Sequence, residues 1–220
     1  MERVSVITGK VPVIFVSPYG ADRPALANLA EEAAFYSDGN AVINRGFLRG
    51  NKVDYQTETA DCGRIDHCLV ENVVFEEFLN PIIKLKNNLK KKHKRVYVFL
   101  LTDLQGPMDM DILIGYGNGE NFTVTCPVWA KELFATALRF VELKPYEANS
   151  SGLYTASDAR CLNQLFRVYN YDKEVMSMHL WVNEHLLRFT RSTASGIADA
   201  AVELTKHNNY HNKSTRLLLY

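Results

Sequence analysis

Unbroken runs of apolar residues are the clearest feature in the pattern of hydrophobic and polar positions along the chain. One run covers residues 11–17 and stops at Pro18, and another covers residues 96–101 and stops at Thr102. Apolar runs that do not alternate with polar residues are typical of strands buried on both faces of a parallel sheet. A shorter run, residues 111–115, predicts a further strand. Residues 175–182 predict another, with methionine, leucine and valine on one face and Ser177, His179 and Trp181 on the other.

Apolar residues at helical spacing predict helices between these strands. The first begins at Pro24, with Asp22 as a candidate N-cap. A long helix is expected over residues 71–93, kinked or split at Pro81. Others are expected after Pro127, after Ser157, and over residues 195–207. We interpret residues 40–60 as an extended excursion outside the core and residues 143–156 as a loop.

The resulting order of elements predicts an α/β sandwich with a mixed, mainly parallel central sheet. We find no internal repeat and no linker, so residues 1–220 are expected to form a single domain. The net charge is zero at a pI near 7.0, which gives no indication of a nucleic-acid partner. No stretch is apolar enough to cross a membrane. Four cysteines are too few for a disulfide scaffold, and we expect a soluble cytoplasmic protein.

Polar residues that follow the predicted strands are the first candidates for chemistry. Asp103 and Gln105 come directly after the strand at residues 96–101, and Asp109 and Asp111 precede the next one. Ligands of parallel α/β sheets bind beyond the carboxyl ends of the strands, so these side chains could line a site. The alternative is a polar loop between two strands.

The segment 60–68 (ADCGRIDHC) is the second candidate because it concentrates acidic, basic and thiol groups. Cys62, His67 and Cys68 could be metal ligands, but their spacing matches no standard zinc motif, and free cysteines are more often buried apolar groups. Arg64 could bind a substrate carboxylate through two parallel donors. Its alternative role is an ion pair with Asp61 or Asp66. His179 is either a catalytic group or a hydrogen-bonded core histidine.

These segments together resemble the N-formylglutamate amidohydrolase family, which is related in fold to zinc carboxypeptidases and aspartoacylase. Residues 103–106 (DLQG) are similar to the family's Asp-[Leu/Cys]-His-[Ser/Gly] turn, and residues 110–119 to its Ala-Asp-[Ile/Phe]-Val-Leu-Gly segment. Residues 11–20 are similar to a strand that ends in Val-Pro-His-[Ser/Gly]-Gly. Residues 59–64 are similar to Asp-Leu-Asn-Arg, and the strand around His179 to a late Gln-Ile-Glu-Ile strand. The resemblance implies a three-layer, zinc-carboxypeptidase/phosphorylase-like fold.

The resemblance also implies a function, namely metal-dependent hydrolysis of the amide bond of N-acyl acidic amino acids. In the family, zinc is held by two histidines and a carboxylate. Tyr19 and Gln105 occupy the histidine positions here, and neutral Tyr and Gln are poor zinc ligands. Asp22 is the candidate for the carboxylate. The family's zinc ligands are therefore not retained, and the cofactor is unknown.

Three interpretations follow. The first is a hydrolase with rearranged chemistry, in which His179 and Asp103 act as catalytic groups with Asp22 and His67 nearby. The second is a non-catalytic relative whose pocket binds a small acidic ligand through Arg64, Asp61, Tyr19 and Gln105, or which binds a protein partner. The third is an unrelated α/β domain. The replaced histidines favour the second over the first.

Overall fold

The computed structural model describes residues 2–50, 54, 59–70, 72–106, 109–117, 123–148, 154–158, 160–166 and 174–207. Within these ranges the chain forms a seven-stranded sheet with the spatial order β1-β3-β2-β4-β7-β5-β6. The strands are β1 (Val4–Ile7), β2 (Val13–Ser17), β3 (Asn40–Asn44), β4 (Val96–Leu104), β5 (Ile112–Gly115), β6 (Pro145–Glu147) and β7 (Val175–Asn183).

The centre of the sheet is parallel. Strands β3, β2, β4 and β7 run in one direction, and β1 and β5 pair antiparallel with β3 and β7. The carboxyl ends of the four parallel strands therefore meet at one edge of the sheet. Because β5 is antiparallel to β7, its first residues lie at that same edge, with Ile112 opposite Val182. This confirms the prediction of a mixed, mainly parallel sheet.

Helices cover both faces of the sheet, which makes the fold a three-layer α/β sandwich. One face packs against α1 (Pro24–Ser37), α5 (Val128–Phe140) and α6 (Thr190–Lys206). Three aromatic rings stack in this core, with Phe99 5.7 Å from Phe15 and 4.8 Å from Phe134 between ring centroids. The other face is covered by α2 (Ile65–Val70), α3 (Asn72–Val74), a π-helical stretch (Phe75–Leu79), α4 (Asn80–Lys90) and the 3₁₀ helix Leu162–Phe166. A further 3₁₀ turn, Leu186–Phe189, precedes α6.

The sequence predicts a kink or split of the long helix at Pro81, and the helix changes there from a π-helical stretch to α4. A proline inside a helix lacks an amide hydrogen, and its ring collides with the carbonyl four residues earlier. Here Pro81 lies in the first turn of α4, directly after the π-helical stretch. The Asn80 amide bonds the Phe75 carbonyl five residues back, so the wider turn relieves the collision while the helix continues.

Several sequence predictions are wrong in detail. Residues 40–44 are the buried strand β3 rather than part of an excursion, and β1 and β6 were not predicted. Asp22 does not cap α1, whose N-cap is Arg23 without a side-chain hydrogen bond. The element after Ser157 is the 3₁₀ helix Leu162–Phe166, and residues 167–173 lie outside the described residues. Within the described ranges, no helix has the length and hydropathy needed to cross a bilayer.

Candidate functional site

A polar cleft of about 330 Å³ lies at the carboxyl edge of the parallel strands. It is lined by residues from the β2 turn, the end of β4 and the middle of β7, together with two loop residues: Tyr19, Thr102, Asp103, Leu104, Gln105, His179, Trp181, Arg49 and Tyr154. Four of the seven site residues that the sequence predicted (Tyr19, Asp103, Gln105 and His179) line this cleft. Other concave regions occur elsewhere on the surface, but this one gathers the polar strand ends.

Tyr19 forms one wall of the cleft and is held by Asp61. Its hydroxyl donates to Asp61 Oδ1 at 2.9 Å, and the same oxygen accepts the Gly63 amide at 3.1 Å. Burial, with the nearby Asp61 carboxylate adding to it, raises the pKa of Tyr19 well above its usual value. Tyr19 is therefore a neutral phenol that donates its hydroxyl hydrogen to Asp61.

Arg49 supplies the exposed cation of the cleft. Its guanidinium carbon lies 4.5 Å from the centroid of the Tyr19 ring, and Nε is 3.7 Å from Asp61 Oδ2. The side chain is 60 % exposed. The Asp22 carboxylate accepts the Arg49 backbone amide at 3.0 and 3.1 Å from its two oxygens, which fixes the backbone from which this side chain extends. Asp22 itself lines a neighbouring depression with Arg23 and His185 rather than the cleft.

Asp103 and Gln105 belong to a charged network along one rim. Arg23 Nε lies 2.9 Å from Asp103 Oδ2, and the same guanidinium reaches Glu184 at 3.3 Å. Gln105 donates to the other Glu184 oxygen at 3.2 Å. The Asp103 carboxylate thus has a cation beside it, and the Gln105 amide lies at the solvent side of the cleft.

His179 forms the floor and is fixed on both ring nitrogens. Nε2 lies 2.9 Å from the Thr102 hydroxyl, and Nδ1 lies 3.6 Å from the Cys161 sulfur. The imidazole stacks on Trp181 with 3.8 Å between centroids. Burial lowers the pKa of His179 to about 3, so the ring is neutral at pH 7.

Arg64 does not line the cleft. It forms a two-pronged ion pair with Asp66, with Nε 3.0 Å from one carboxylate oxygen and a terminal nitrogen 2.5 Å from the other. This is one of the two ion pairs that the sequence left open. The hydrogen bond to Asp66 raises the pKa of Arg64 and lowers the pKa of Asp66. Arg64 is absent from the residues that line the cleft.

The segment 60–68 has a structural function in the fold. His67 Nδ1 accepts the Asp61 amide at 3.0 Å, which positions the residue that holds Tyr19. Cys62 and Cys68 are fully buried, as their apolar interpretation predicts.

Tyr19, Gln105 and Asp22, which the sequence resemblance aligns with zinc ligands, do not form a typical zinc donor set. The Tyr19 hydroxyl donates to Asp61, the Gln105 amide donates to Glu184, and the Asp22 carboxylate accepts the Arg49 amide. None of these side chains is an imidazole or thiolate. Within the described part of the chain, no three histidine, cysteine, aspartate or glutamate side chains are grouped as metal ligands.

Two residues that matter for the cleft had no clear sequence signal. Arg49 falls in the segment interpreted as an excursion, and Cys161 lies in the region where only a helix after Ser157 was expected. Only the spatial pairing of Arg49 with Tyr19 and of Cys161 with His179 identifies them. A cation beside an aromatic ring cannot be located from sequence spacing when the two residues are far apart in the chain.

Comparison with known proteins defines the class of fold. No family model matches the sequence, and no curated protein matches it. Solved structures do match. The N-formylglutamate amidohydrolase of Ralstonia eutropha JMP134 superposes with a TM-score of 0.54 at 10% identity, over 96% of this chain and 98% of that one. A bacteriophage poly-gamma-glutamate hydrolase gives a TM-score of 0.50 at 13% identity, over 94% of this chain and 88% of that one.

A Burkholderia mallei protein described as a carboxypeptidase gives a TM-score of 0.51 at 11% identity, over 92% of this chain and 59% of that one. The chain therefore has the α/β fold of carboxypeptidase-like and N-formylglutamate amidohydrolase-like proteins. The fold implied by the sequence resemblance is confirmed.

Proposed function

We propose that this protein is an N-formylglutamate amidohydrolase-like protein whose cleft binds a small ligand with a carboxylate group, such as an N-acyl acidic amino acid. The observation that carries the proposal is the exposed Arg49 guanidinium at the cleft that the strand ends form. A guanidinium binds a carboxylate through parallel, charge-assisted hydrogen bonds. The cleft volume, about 330 Å³, is at the lower end of the range of small-molecule sites.

Arg49 is better placed for this role than Arg64. The Arg64 donors are engaged by Asp66, and removing them would leave that carboxylate without its partner. Within the described part of the chain, the terminal nitrogens of Arg49 have no hydrogen-bond partner, and stacking over Tyr19 orients the guanidinium. Tyr19 then acts as the platform for the cation, while Asp61 holds the platform in place.

We also propose that the protein does not carry out the zinc-dependent hydrolysis that the resemblance implies. The donor set at Tyr19, Gln105 and Asp22 supports this, because each polar group already has a protein partner and none is a histidine. Asp103 and His179 remain in the cleft, with Asp103 beside Arg23 and His179 held as a neutral imidazole. We therefore place ligand recognition, not metal chemistry, at the centre of this site.

Isothermal titration calorimetry with N-acetyl-L-glutamate tests the proposal. Arg49→Met should weaken binding by about tenfold or more, since a hydrogen bond to a charged group is worth about 1.5–3 kcal/mol. Arg64→Met is the matched control and should bind as the wild type does. N-acetyl-L-glutamine, which replaces the side-chain carboxylate by an amide, tests whether that carboxylate is the group recognised.

Two results would overturn the proposal. One is the absence of any N-acetyl-L-glutamate binding at millimolar concentration by the wild-type protein. The other is weakened binding by Arg64→Met with Arg49→Met unaffected, which would return recognition to Arg64.

A further inference from the structure

The cleft contains a carboxylate, that of Asp103, as well as the Arg49 guanidinium. Asp103 is the last residue but one of β4, and its side chain is 18% exposed. Both residues line the cleft, although one comes from the end of a strand and the other from the chain after β3. An anion and a cation in one cleft can complement a ligand that carries both kinds of charge.

Asp103 has hydrogen-bonding capacity left for a ligand. Arg23 Nε lies 2.9 Å from Oδ2, and Oδ1 has no hydrogen-bond partner among the described residues. An ionised carboxylate has about four acceptor positions on its two oxygens. Arg23 is itself shared, since its guanidinium also reaches Glu184 at 3.3 Å. One guanidinium thus serves two carboxylates, and Asp103 keeps an oxygen that can accept hydrogen bonds from a bound cation.

Gln105 adds a second acceptor beside Asp103. Its amide nitrogen donates to Glu184 at 3.2 Å, whereas its carbonyl oxygen has no partner within the described part of the chain. Glu184 offers only acceptors, so the nitrogen end of the amide is the end that faces it. Asp103 and Gln105 therefore each bring an unpaired oxygen to the cleft that they line.

The balance of charge around the cleft favours a ligand with a positive group. Asp61, Asp103 and Glu184 are three carboxylates, whereas Arg23 and Arg49 are two guanidiniums. The ion pairs among these five groups measure 2.9, 3.3 and 3.7 Å, so their charges act on one another directly. One negative charge is in excess. A ligand that brings only carboxylates adds to this excess, while an ammonium group compensates it.

We propose that Asp103 recognises a free ammonium group, so that the ligand of the cleft is an amino acid with both an amine and a carboxylate. The ammonium donates to Asp103 Oδ1 and to the Gln105 carbonyl, and the carboxylate binds Arg49. The carboxylate half of this arrangement rests on the function proposed above. An N-acyl amino acid has a neutral amide in place of the ammonium, so it lacks the charge-assisted hydrogen bond to Asp103.

Isothermal titration calorimetry with two ligands of nearly equal size isolates the ammonium group. L-Glutamate and L-2-hydroxyglutarate carry the same two carboxylates and differ only in an ammonium or a hydroxyl on the α-carbon. We expect the wild type to bind L-glutamate about tenfold more tightly, because a hydrogen bond between two charged groups is the stronger one. N-Acetyl-L-glutamate should also bind more weakly than L-glutamate does.

Two variants separate a direct contact with Asp103 from the general charge of its surroundings. Asp103→Asn should weaken L-glutamate binding by about tenfold and should not weaken L-2-hydroxyglutarate binding. Glu184→Gln is the matched control, because it removes the same charge beside the same Arg23 from a side chain that does not line the cleft. It should change L-glutamate binding by less than about threefold. Circular dichroism checks that both variants fold, and the comparison of the two ligands on the wild type needs neither of them.

The proposal is overturned if the wild type binds L-2-hydroxyglutarate as tightly as L-glutamate. It is also overturned if Asp103→Asn weakens both ligands equally, or if Glu184→Gln weakens L-glutamate binding as much as Asp103→Asn does. In these cases a loss of L-2-hydroxyglutarate binding in Arg49→Met would leave carboxylate recognition intact.

The reverse result is equally distinct. If L-glutamate binding depends on Asp103 but not on Arg49, amine recognition is supported and the function proposed above fails. If neither ligand binds to the wild type at millimolar concentration, both proposals are overturned.

Discussion

Replacing Gly63 by alanine would test the wall of the cleft directly. A Cβ on Gly63 would lie 2.1 Å from the Tyr19 hydroxyl oxygen and 2.7 Å from the ring carbon that bears it. No real side chain tolerates such contacts, so the Tyr19 ring has to move. The Gly63 backbone is not in the left-handed region, so the cost is steric rather than conformational.

The size of the effect follows from what Tyr19 loses. Its hydroxyl bonds the Asp61 carboxylate at 2.9 Å, and a hydrogen bond to a charged group is worth about 1.5–3 kcal/mol. Overpacking typically costs about 1–3 kcal/mol. Because both arise from one displacement, we expect Gly63→Ala to lower the free energy of unfolding by about 2–3 kcal/mol. For a chain of this size, that corresponds to a fall in Tm of roughly 5–10 °C.

A double-mutant cycle isolates the cause. Tyr19→Phe removes both the hydroxyl and its bond to Asp61, so Gly63→Ala in that background should cost less by about 1.5 kcal/mol. Urea unfolding of the four proteins measures the coupling. If Gly63→Ala costs the same in both backgrounds to within about 0.5 kcal/mol, the proposed collision is not the cause. Calorimetry on Gly63→Ala should also show weaker N-acetyl-L-glutamate binding, because Arg49 stacks on the displaced ring.

Further predictions concern pH and the core. Burial lowers the pKa of His179 from 6.5 to about 3, so between these values the unfolded chain binds a proton that the folded chain does not. The free energy of unfolding, measured in urea, should therefore fall as the pH is lowered from about 6.5, by at most about 1.4 kcal/mol per pH unit. In His179→Gln, the number of protons taken up on unfolding in this pH range should be lower by about one. Burial raises the pKa of Cys161 to about 11, so its alkylation by iodoacetamide should still accelerate above about pH 9; a plateau near pH 8.5 would contradict this. Phe99→Ala should destabilise the protein by about 3–5 kcal/mol, since Phe99 stacks between Phe15 and Phe134.

The sequence pattern predicted the central strands well because their apolar runs are long. It failed at β3, where only Ala41, Val42 and Ile43 lie between Asn40 and Asn44. Asparagine ordinarily suggests a loop, yet both side chains are buried and fully engaged with the backbone. Asn40 donates to the Val11 and Val13 carbonyls at 3.0 Å, and Asn44 donates to the Pro18 and Phe47 carbonyls at 2.7 Å. Such pairing makes buried asparagine acceptable, and no local pattern reveals it.

The candidate site could be predicted only where it depends on strand ends. Tyr19, Asp103 and Gln105 follow apolar runs, so the rule for parallel sheets placed them at one edge. Arg49 and Cys161 come from loops, and the partners that give them meaning are distant in sequence. Arg64 is the opposite case. Its partner Asp66 is only two residues away, and an ion pair with a nearby carboxylate was one of the roles that the sequence predicted for it.

The two edges of the sheet differ in how they resist pairing with another chain. On one side, β6 has three residues and begins with Pro145, which has no amide hydrogen to offer. Short, proline-bearing edges are a common defence against aggregation. On the other side, β1 has four residues, and its Val6 side chain is 46% exposed. The charged neighbours Arg3 and Lys10 flank it, so charge and brevity rather than proline limit sheet growth at this edge.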